Sequence, residues 1–345
     1  MTATLTAPRF GVWAPVYGTW GARTHPTEAP DASYRRTRDV IVRAEELGFD
    51  STLVAQHVLH PGSPEHDVLE TWSTLAGLAE ATSRVELIGA IKPLLFNPLV
   101  FAKTVANIEQ IAADRLAINL VSGWFLPELE AIGLGDINHD DRYGYSSEWL
   151  DVVGRLWRGD AIESGLGGAV GAGAQLRPAL ERKPRVYLGG ESEPARALAA
   201  AQADVFFLNG RPPEDVAVIV DDMRRRDRNK LEPLQFGLSA FVIARETEQE
   251  ALREFEYLQS LVDSSGQRDR TAGTDPATAM FKVHENVARV GTNGGTLAGL
   301  IGSYEQVAER ITTFATLGID LFMLQFQPLE AEMERFATHI LPLFR

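Results

Sequence analysis

Three short stretches carry side chains suited to holding or orienting a ligand: Asn119-Leu120-Val121-Ser122-Gly123-Trp124, Arg142-Tyr143, and Gly189-Gly190-Glu191-Ser192. Asn119 and the double glycine fall where an apolar run of strand length gives out, and Arg142-Tyr143 reads as part of the loop after the fourth such run. Gly189-Gly190 permits close approach of the backbone to a ligand, and Ser192-Glu193-Pro194 reads as a helix start with serine as N-cap and proline in the first turn. Amide groups exposed there suit a phosphate without any lysine, and Arg142 and Tyr143 could add a charge and a hydroxyl to the same anion. An ordinary strand-to-helix turn is the alternative reading of the glycines. Glu191 fits an anion site poorly and reads as pointing to solvent. Asn119 ends an otherwise apolar strand, so its amide either meets a ligand or ties down its own loop. Trp124 offers a flat apolar wall or plain packing, and Glu128 either accepts a hydrogen bond from a ligand or is a solvated carboxylate.

His57, at the end of the second strand in Ala55-Gln56-His57, is the general acid-base candidate by position, because histidine ordinarily titrates near neutrality. A purely structural histidine is the other reading. His60 and His66 lie on the loop beyond it, but a proline-glycine loop lacks the fixed spacing and partner carboxylates of a metal set, so no metal is expected. No Gly-x-Ser-x-Gly elbow, Walker loop or His-Glu-x-x-His occurs, so hydrolase and kinase chemistry find no support.

The elements that must position these residues alternate almost from end to end. Strand-like runs at 10–16, 51–55, 85–91, 116–121, 185–188, 205–208, 236–244 and 321–326 are interleaved with helix-period segments at 33–47, 69–81, 100–113, 146–156, 194–203, 213–225, 248–260 and 304–317, and a closing helix follows at 329–343. Such alternation favours a parallel sheet, and eight near-equivalent strands favour closing it into an α/β (β/α)8 barrel. No Gly-x-Gly-x-x-Gly follows the first strand, which counts against an open dinucleotide-binding sheet. In a barrel, the chemistry belongs at the C-terminal ends of the strands. Two segments break the rhythm. Asp160 to Lys183 is glycine-rich and small-sided and reads as a surface loop, and the long insertion of about 262–302 before the last helix-strand unit, with local helix around Ala277 to Val287, reads as a lid over the barrel mouth, a passive insertion being the alternative.

A chain of 345 residues, 45% of them hydrophobic, falls within the size of one elaborated barrel, so a single domain over 1–345 is expected. With 33 basic against 47 acidic residues the net charge is -14, which disfavours nucleic acid and anionic membrane surfaces as partners. The absence of cysteine removes disulfides, thiolate metal sites and thiol nucleophiles, and suits the cytoplasm. No apolar run approaches a membrane span, and Met1 to Arg9 lacks the features of a signal peptide.

Taken together, Asn119 to Trp124, Pro127-Glu128, Arg142-Tyr143, Leu188 to Ser192, Phe241 to Arg245, Gly299 to Ser303 and Ile340 to Leu343 resemble the bacterial-luciferase-like flavin monooxygenases, in the branch of the dimethylsulfone, pyrimidine and alkanesulfonate enzymes. The resemblance runs from about Phe10 to the C-terminus. It implies a TIM barrel that takes reduced FMN from a separate NAD(P)H-dependent flavin reductase, activates O2 and inserts one oxygen atom into a small substrate. It also implies a homodimer or homotetramer. By position, Gln56, His57, Ala90, Asn119, Glu128, Arg142, Tyr143, Gly189, Gly190 and Ser192 match the cofactor site, with Asn119, His57 and Ala90 at the reacting edge. Gln56 and His57 stand in place of an Ile-Lys pair of the pyrimidine enzyme. Ala90 replaces its threonine and matches the alanine of the sulfone enzyme.

Departures from the alkanesulfonate pattern bear on the substrate. Ser239 and Phe241 stand where that enzyme has a strand-seven arginine and histidine, and Asn293 where it has a lid arginine. Burying a sulfonate without a cation would cost several kcal/mol, so an uncharged substrate is expected, in a pocket bordered by Trp13, Trp124, Ser239, Phe241 and Asn293. Hydride transfer with deazaflavin F420 shares the fold and much of the pattern and is the rival activity. A flavin-binding barrel without turnover is the rival from another class.

Overall fold

A computed structural model describes residues 7–18, 24–28, 30–63, 65–230, 232–264 and 290–345. Its strands are β1 (Arg9–Trp13), β2 (Ser51–Val54), β3 (Glu86–Ile91), β4 (Leu116–Leu120), β5 (Arg185–Gly189), β6 (Val205–Leu208), β7 (Gln235–Phe241), β8 (Ile243–Arg245), β9 (Ile301–Ser303) and β10 (Ile319–Gln325). Eight of them close into a barrel in the order β1-β10-β7-β6-β5-β4-β3-β2. Every pairing in it is parallel. The helices are α1 (Tyr34–Leu47), α2 (Thr71–Ala81), α3 (Pro98–Ala112), α4 (Leu126–Ala131), α5 (His139–Trp157), α6 (Glu193–Gln202), α7 (Pro213–Arg225), α8 (Glu248–Ser264), α9 (Tyr304–Leu317) and α10 (Leu329–His339). Among the described residues no helix is long and apolar enough to cross a membrane.

Local chemistry sets the helix limits. Ser33 caps α1 by accepting from Arg36 N, and Gly48, at φ 94°, ends it in the left-handed region that a side chain resists. The face of α1 made by Thr37, Val40, Ile41 and Ala44 is buried, as a helical period requires. Ser303 and Gln306 form a capping box at the start of α9. At the seam where the first and last strands meet, Phe10 packs on Phe322, Phe336 and Phe344 with ring centroids 5.4–5.8 Å apart.

Alternation along the strands decides what reaches the lumen. Arg9 of β1 reaches Tyr187 of β5 across the barrel, and Glu86 accepts from both, at 2.9 and 2.8 Å, so this end is filled by a polar plug. Ala90 pairs in register with Asn119, and Asn119 with Tyr187, which places the first two on the lumen side at the opposite end.

Two expectations change. The run at 236–244 is two strands: β7 leaves the barrel at Phe241, and β8 pairs with β9 in a separate parallel sheet. Phe241 and Ile243 are drawn there by a second apolar cluster with Ala251, Leu258 and Val290. Asp160 to Lys183 is not a purely surface loop. It makes a small hairpin in which Ile162 bridges Ala174 and Gly165 bridges Val170, and Ile162, Leu166, Val170 and Leu176 join the main core. The glycines make the turns, and the few larger side chains between them do the packing. Most of the expected lid, 265–289 with its helix, lies outside the described residues.

From Val290 onward the insertion is tied to the barrel. Gly210 N donates to Asn293 O at 2.8 Å, and Gly294, at φ 85°, is so close that a Cβ there would sit 2.2 Å from Gly210 O. Gly294→Ala is therefore expected to cost about 1–3 kcal/mol in urea unfolding. Gly171→Ala, whose Cβ would meet nothing within 4 Å, is expected to change stability by about 0.5 kcal/mol or less. Equal midpoints for the two variants would contradict this packing.

Candidate active site at the C-terminal mouth of the barrel

The loops after β2, β3 and β4 converge on one buried carboxylate. Glu128 is fully buried in the first turn of α4, with Pro127 beside it at the helix start. It accepts from Val58 N at 2.5 Å and Leu59 N at 3.4 Å and pairs with the ammonium of Lys92. Lys92, directly after β3, also places Nζ 2.9 Å from His57 Nδ1, and its own N–H donates to Gln56 Oε1 at 2.5 Å. His57 Nδ1 lies 3.4 Å from Glu128, and its ring is enclosed by Tyr17, Trp124 and Phe125 at 5.4–5.8 Å.

Charge in this cluster follows from burial. His57 is pushed down to about 4, first by burial and then by the neighbouring Lys92 charge, against a weaker upward pull from Glu128. Lys92 falls to about 8 because burial outweighs the attraction of Glu128. Burial alone would raise Glu128, but His57 and Lys92 hold it at about 2. At neutral pH the cluster is an ammonium, a carboxylate and a neutral imidazole. His57 therefore does not titrate near neutrality as its position suggested.

On another side of the mouth, Arg142 and Tyr143 ride the first turns of α5 instead of a loop. Asn138 caps that helix by accepting from Asp141 N, and Asp140 and Asp141 suit its positive end. Arg142 is 1% exposed, Nη1 donates to Ile137 O at 3.1 Å, and burial lowers its pKa. Gly190, at φ 129°, opens the turn into α6, where a Cβ would lie 3.2 Å from the Tyr143 hydroxyl and 2.8 Å from Ala195 Cβ. Ser192 is the N-cap by conformation, yet its hydroxyl does not bond the helix amides and faces Tyr143. Glu191, expected in solvent, is instead buried in an ion pair with Arg211, whose Nε lies 3.0 Å from it. That pairing removes the repulsion a bare carboxylate would exert on an anion beside Gly190.

The lumen side is mostly uncharged. Asn119 is 6% exposed and its Oδ1 accepts no hydrogen bond among the described residues, an arrangement that costs stability unless a ligand donates to it. Ala90 adjoins it in register. Ser239 Oγ lies 3.2 Å from Trp13 Nε1 and 3.2 Å from Gln325 Nε2. Gln325 also donates to Thr292 O at 2.8 Å and accepts from Thr292 N at 2.9 Å, linking the lumen to the root of the insertion.

The fold thus brings Gln56, His57 and Glu128 into one cluster, Tyr143, Gly190 and Ser192 into a second, and Trp13 with Ser239 into a third, while the Arg142 side chain is held by Ile137 O. Phe241 is packed in the apolar cluster under Val290. Asn293, at φ 49°, is held by its backbone to Gly210. His60 Nδ1 accepts from Gly62 N and Ser63 N, and its ring meets His66 edge-on at 5.0 Å. Sequence reasoning missed Lys92, Arg211 and Gln325. For Lys92 the signal was present: a lysine directly after an apolar strand of a barrel lies at the catalytic mouth.

Polar groups gathered at the C-terminal mouth of a closed, parallel eight-stranded barrel are the arrangement in which (β/α)8 enzymes place their chemistry. Residues 9–321 match the family model of the luciferase-like monooxygenases, and the chain belongs to that family. Two relatives are FMNH2-dependent dimethylsulfone monooxygenases. That of Pseudomonas fluorescens (strain Pf0-1) is 30% identical over 355 residues, covering 98% of this chain and 95% of the relative. That of Pseudomonas putida is 30% identical over 348 residues with the same coverage. Among solved structures, riboflavin lyase with modified FMN and riboflavin superposes with a TM-score of 0.79 at 20% identity, covering 99% of this chain and 92% of that one. Long-chain alkane monooxygenase gives 0.77 at 18%, covering 99% and 91%.

The buried cluster fixes an acid limit for the fold. His57 falls from 6.5 to about 4 on folding, so the unfolded chain binds more protons between those values and stability declines as pH drops through that window. Glu128, about 2 folded against 4.5, contributes fully above pH 4.5 and loses its contribution below. His57→Gln is expected to flatten the stability profile between pH 6.5 and 4, removing on the order of 3 kcal/mol of acid sensitivity. Urea midpoints across that range read the slope, and an unchanged slope contradicts the assignment.

Proposed function

We propose that the chain is an FMNH2-dependent monooxygenase that oxygenates a small, uncharged organic molecule, sulfone-like or heteroaromatic, using FMNH2 supplied by a separate NAD(P)H-dependent flavin reductase. The observations that carry the reading are the approach of Tyr143 to Gly190 and Ser192, with the buried Arg142 adjacent to it in the chain, and the unsatisfied Asn119 Oδ1. These residues fit the cofactor: a cradle closed to any side chain at Gly190 suits its phosphate, and the Asn119 carbonyl oxygen suits an N–H of its ring. When bound, reduced FMN supplies the electrons that let one atom of O2 enter the substrate while the other leaves as water.

The residues of this chain then bind, orient and exclude water. Arg142, Tyr143, Ser192 and the amides after Gly189-Gly190 hold the phosphate end. Asn119, Ala90, Gln56 and His57 border the ring end, and the small Ala90 leaves room for oxygen there. Trp13, Trp124 and Ser239 wall the substrate side. Lys92 is met by Glu128 and Arg211 by Glu191, so neither cation is available to an anionic substrate, which supports an uncharged one.

Two variants test the reading. Arg142→Ala is expected to weaken FMN binding roughly 10- to 100-fold, the worth of a charge-assisted hydrogen bond, read by fluorescence titration. Asn119→Ala is expected to retain FMN within about tenfold while consuming O2 without matching product when assayed with a flavin reductase and dimethyl sulfone or a neutral heteroaromatic. Failure of the purified protein to bind FMN in either redox state, or reduction of F420 by an alcohol in place of O2 consumption, overturns it.

A further inference from the structure

The one basic side chain of the His57 cluster that the activity has not used is Lys92, and its geometry dictates the state of its neighbour. An ammonium has three donors and no acceptor. Its nitrogen lies 2.9 Å from His57 Nδ1 while it also pairs with Glu128, so Nδ1 must accept and the imidazole proton must sit on Nε2. The opposite arrangement, with Nδ1–H donating to Glu128, spans a longer 3.4 Å and sets two donors against each other at 2.9 Å. Glu128 is held in place by Val58 N and Leu59 N, so it cannot swing away from either partner. His57 Nε2 makes no hydrogen bond among the described residues, and the ring stands at the mouth between Trp124 and Tyr17.

We propose that Lys92 is a positioning residue that locks His57 as a neutral Nε2–H donor aimed at the bound ligand, so that His57 serves this reaction as a fixed hydrogen-bond donor and not as a base. The inference rests on the monooxygenase reading for its role in turnover, but the proton's location is a property of the protein alone. The charged and titratable groups facing His57 are Lys92, Glu128, Tyr17 and His60. Only Lys92 and Glu128 touch its Nδ1 edge. Without the ammonium, Glu128 is left to accept from the imidazole, whose proton moves to Nδ1 and whose protonation becomes easier.

The test uses protein labelled with 15N-histidine and free of flavin, with the His57 signal assigned by its loss in His57→Gln. In the wild type at pH 7 the expected spectrum shows an unprotonated Nδ1 and a protonated Nε2, with titration below pH 5. In Lys92→Met the proton is expected on Nδ1, with the titration raised by roughly two pH units, the effect of removing a like charge and leaving an opposite one in contact. Lys92→Met combined with Glu128→Gln is expected to bring the titration back down. A wild-type proton on Nδ1 overturns the proposal even if no variant folds, and so does an unshifted titration in folded Lys92→Met. With reductase and substrate present, Lys92→Met is further expected to lose at least half of the product formed per O2 consumed. Unchanged coupling, with the spectra as expected, overturns the role in turnover. Failure to bind FMN would instead overturn the monooxygenase reading and leave the spectra standing.

Discussion

The ammonium of Lys92 lies 3% exposed at the rim of the barrel, where a charge must be met at contact distance or neutralised. Glu128 meets it, and the cost of that encounter shapes three loops. Because the carboxylate is held by two amides of the β2 loop and sits in the first turn of α4, the ends of β2, β3 and β4 are fixed to one another by a single group. Removing either charge would leave the other buried alone, a loss of about 3–5 kcal/mol. Gln56 reinforces the same joint from its own strand end by accepting the Lys92 amide. The rigid side of the mouth is thus built by electrostatics, and the ring of His57 is carried on it.

The turn into α6 is built by subtraction. Gly190 removes a side chain from the turn, and Ser192 withholds its hydroxyl from the helix amides it would ordinarily cap. Glu191, the one residue there that would repel a phosphate, is taken up by Arg211 from the β6 loop. That same loop receives the root of the insertion through Gly210 and Asn293. The turn at Gly190-Glu191 and the described end of the insertion therefore share one support.

Much of this architecture was legible from alternation alone. Eight strand-length runs became the eight barrel strands, and 304–317 became α9 with the limits its capping box implies. What escaped depended on contacts between distant segments. The break after Phe241 arises because Phe241 and Ile243 are pulled into an apolar cluster with α8 and Val290, which no local pattern announces. The early start of α5 was present locally, in Asn138, Asp140 and Asp141, and putting Arg142 in a loop overlooked it. Glu191 read as solvent-facing because its partner lies 20 residues away on another loop. His57 read as a base because its ordinary titration range was assumed, whereas Lys92 and burial reset it.

The cluster at the mouth also constrains how the protein contributes to its reaction. His57 is neutral above about pH 4, Glu128 ionised above about pH 2, and Lys92 charged up to about pH 8, so between pH 5 and 7 none of the three changes its charge. General acid-base catalysis works best with a group whose pKa lies near the working pH, and His57 and Glu128 are both displaced well below that range. A site whose ionisable groups pin one another contributes by holding donors and acceptors in place against a reactive cofactor. The pairing that makes burial of Lys92 tolerable is the same pairing that keeps the His57 proton in one place.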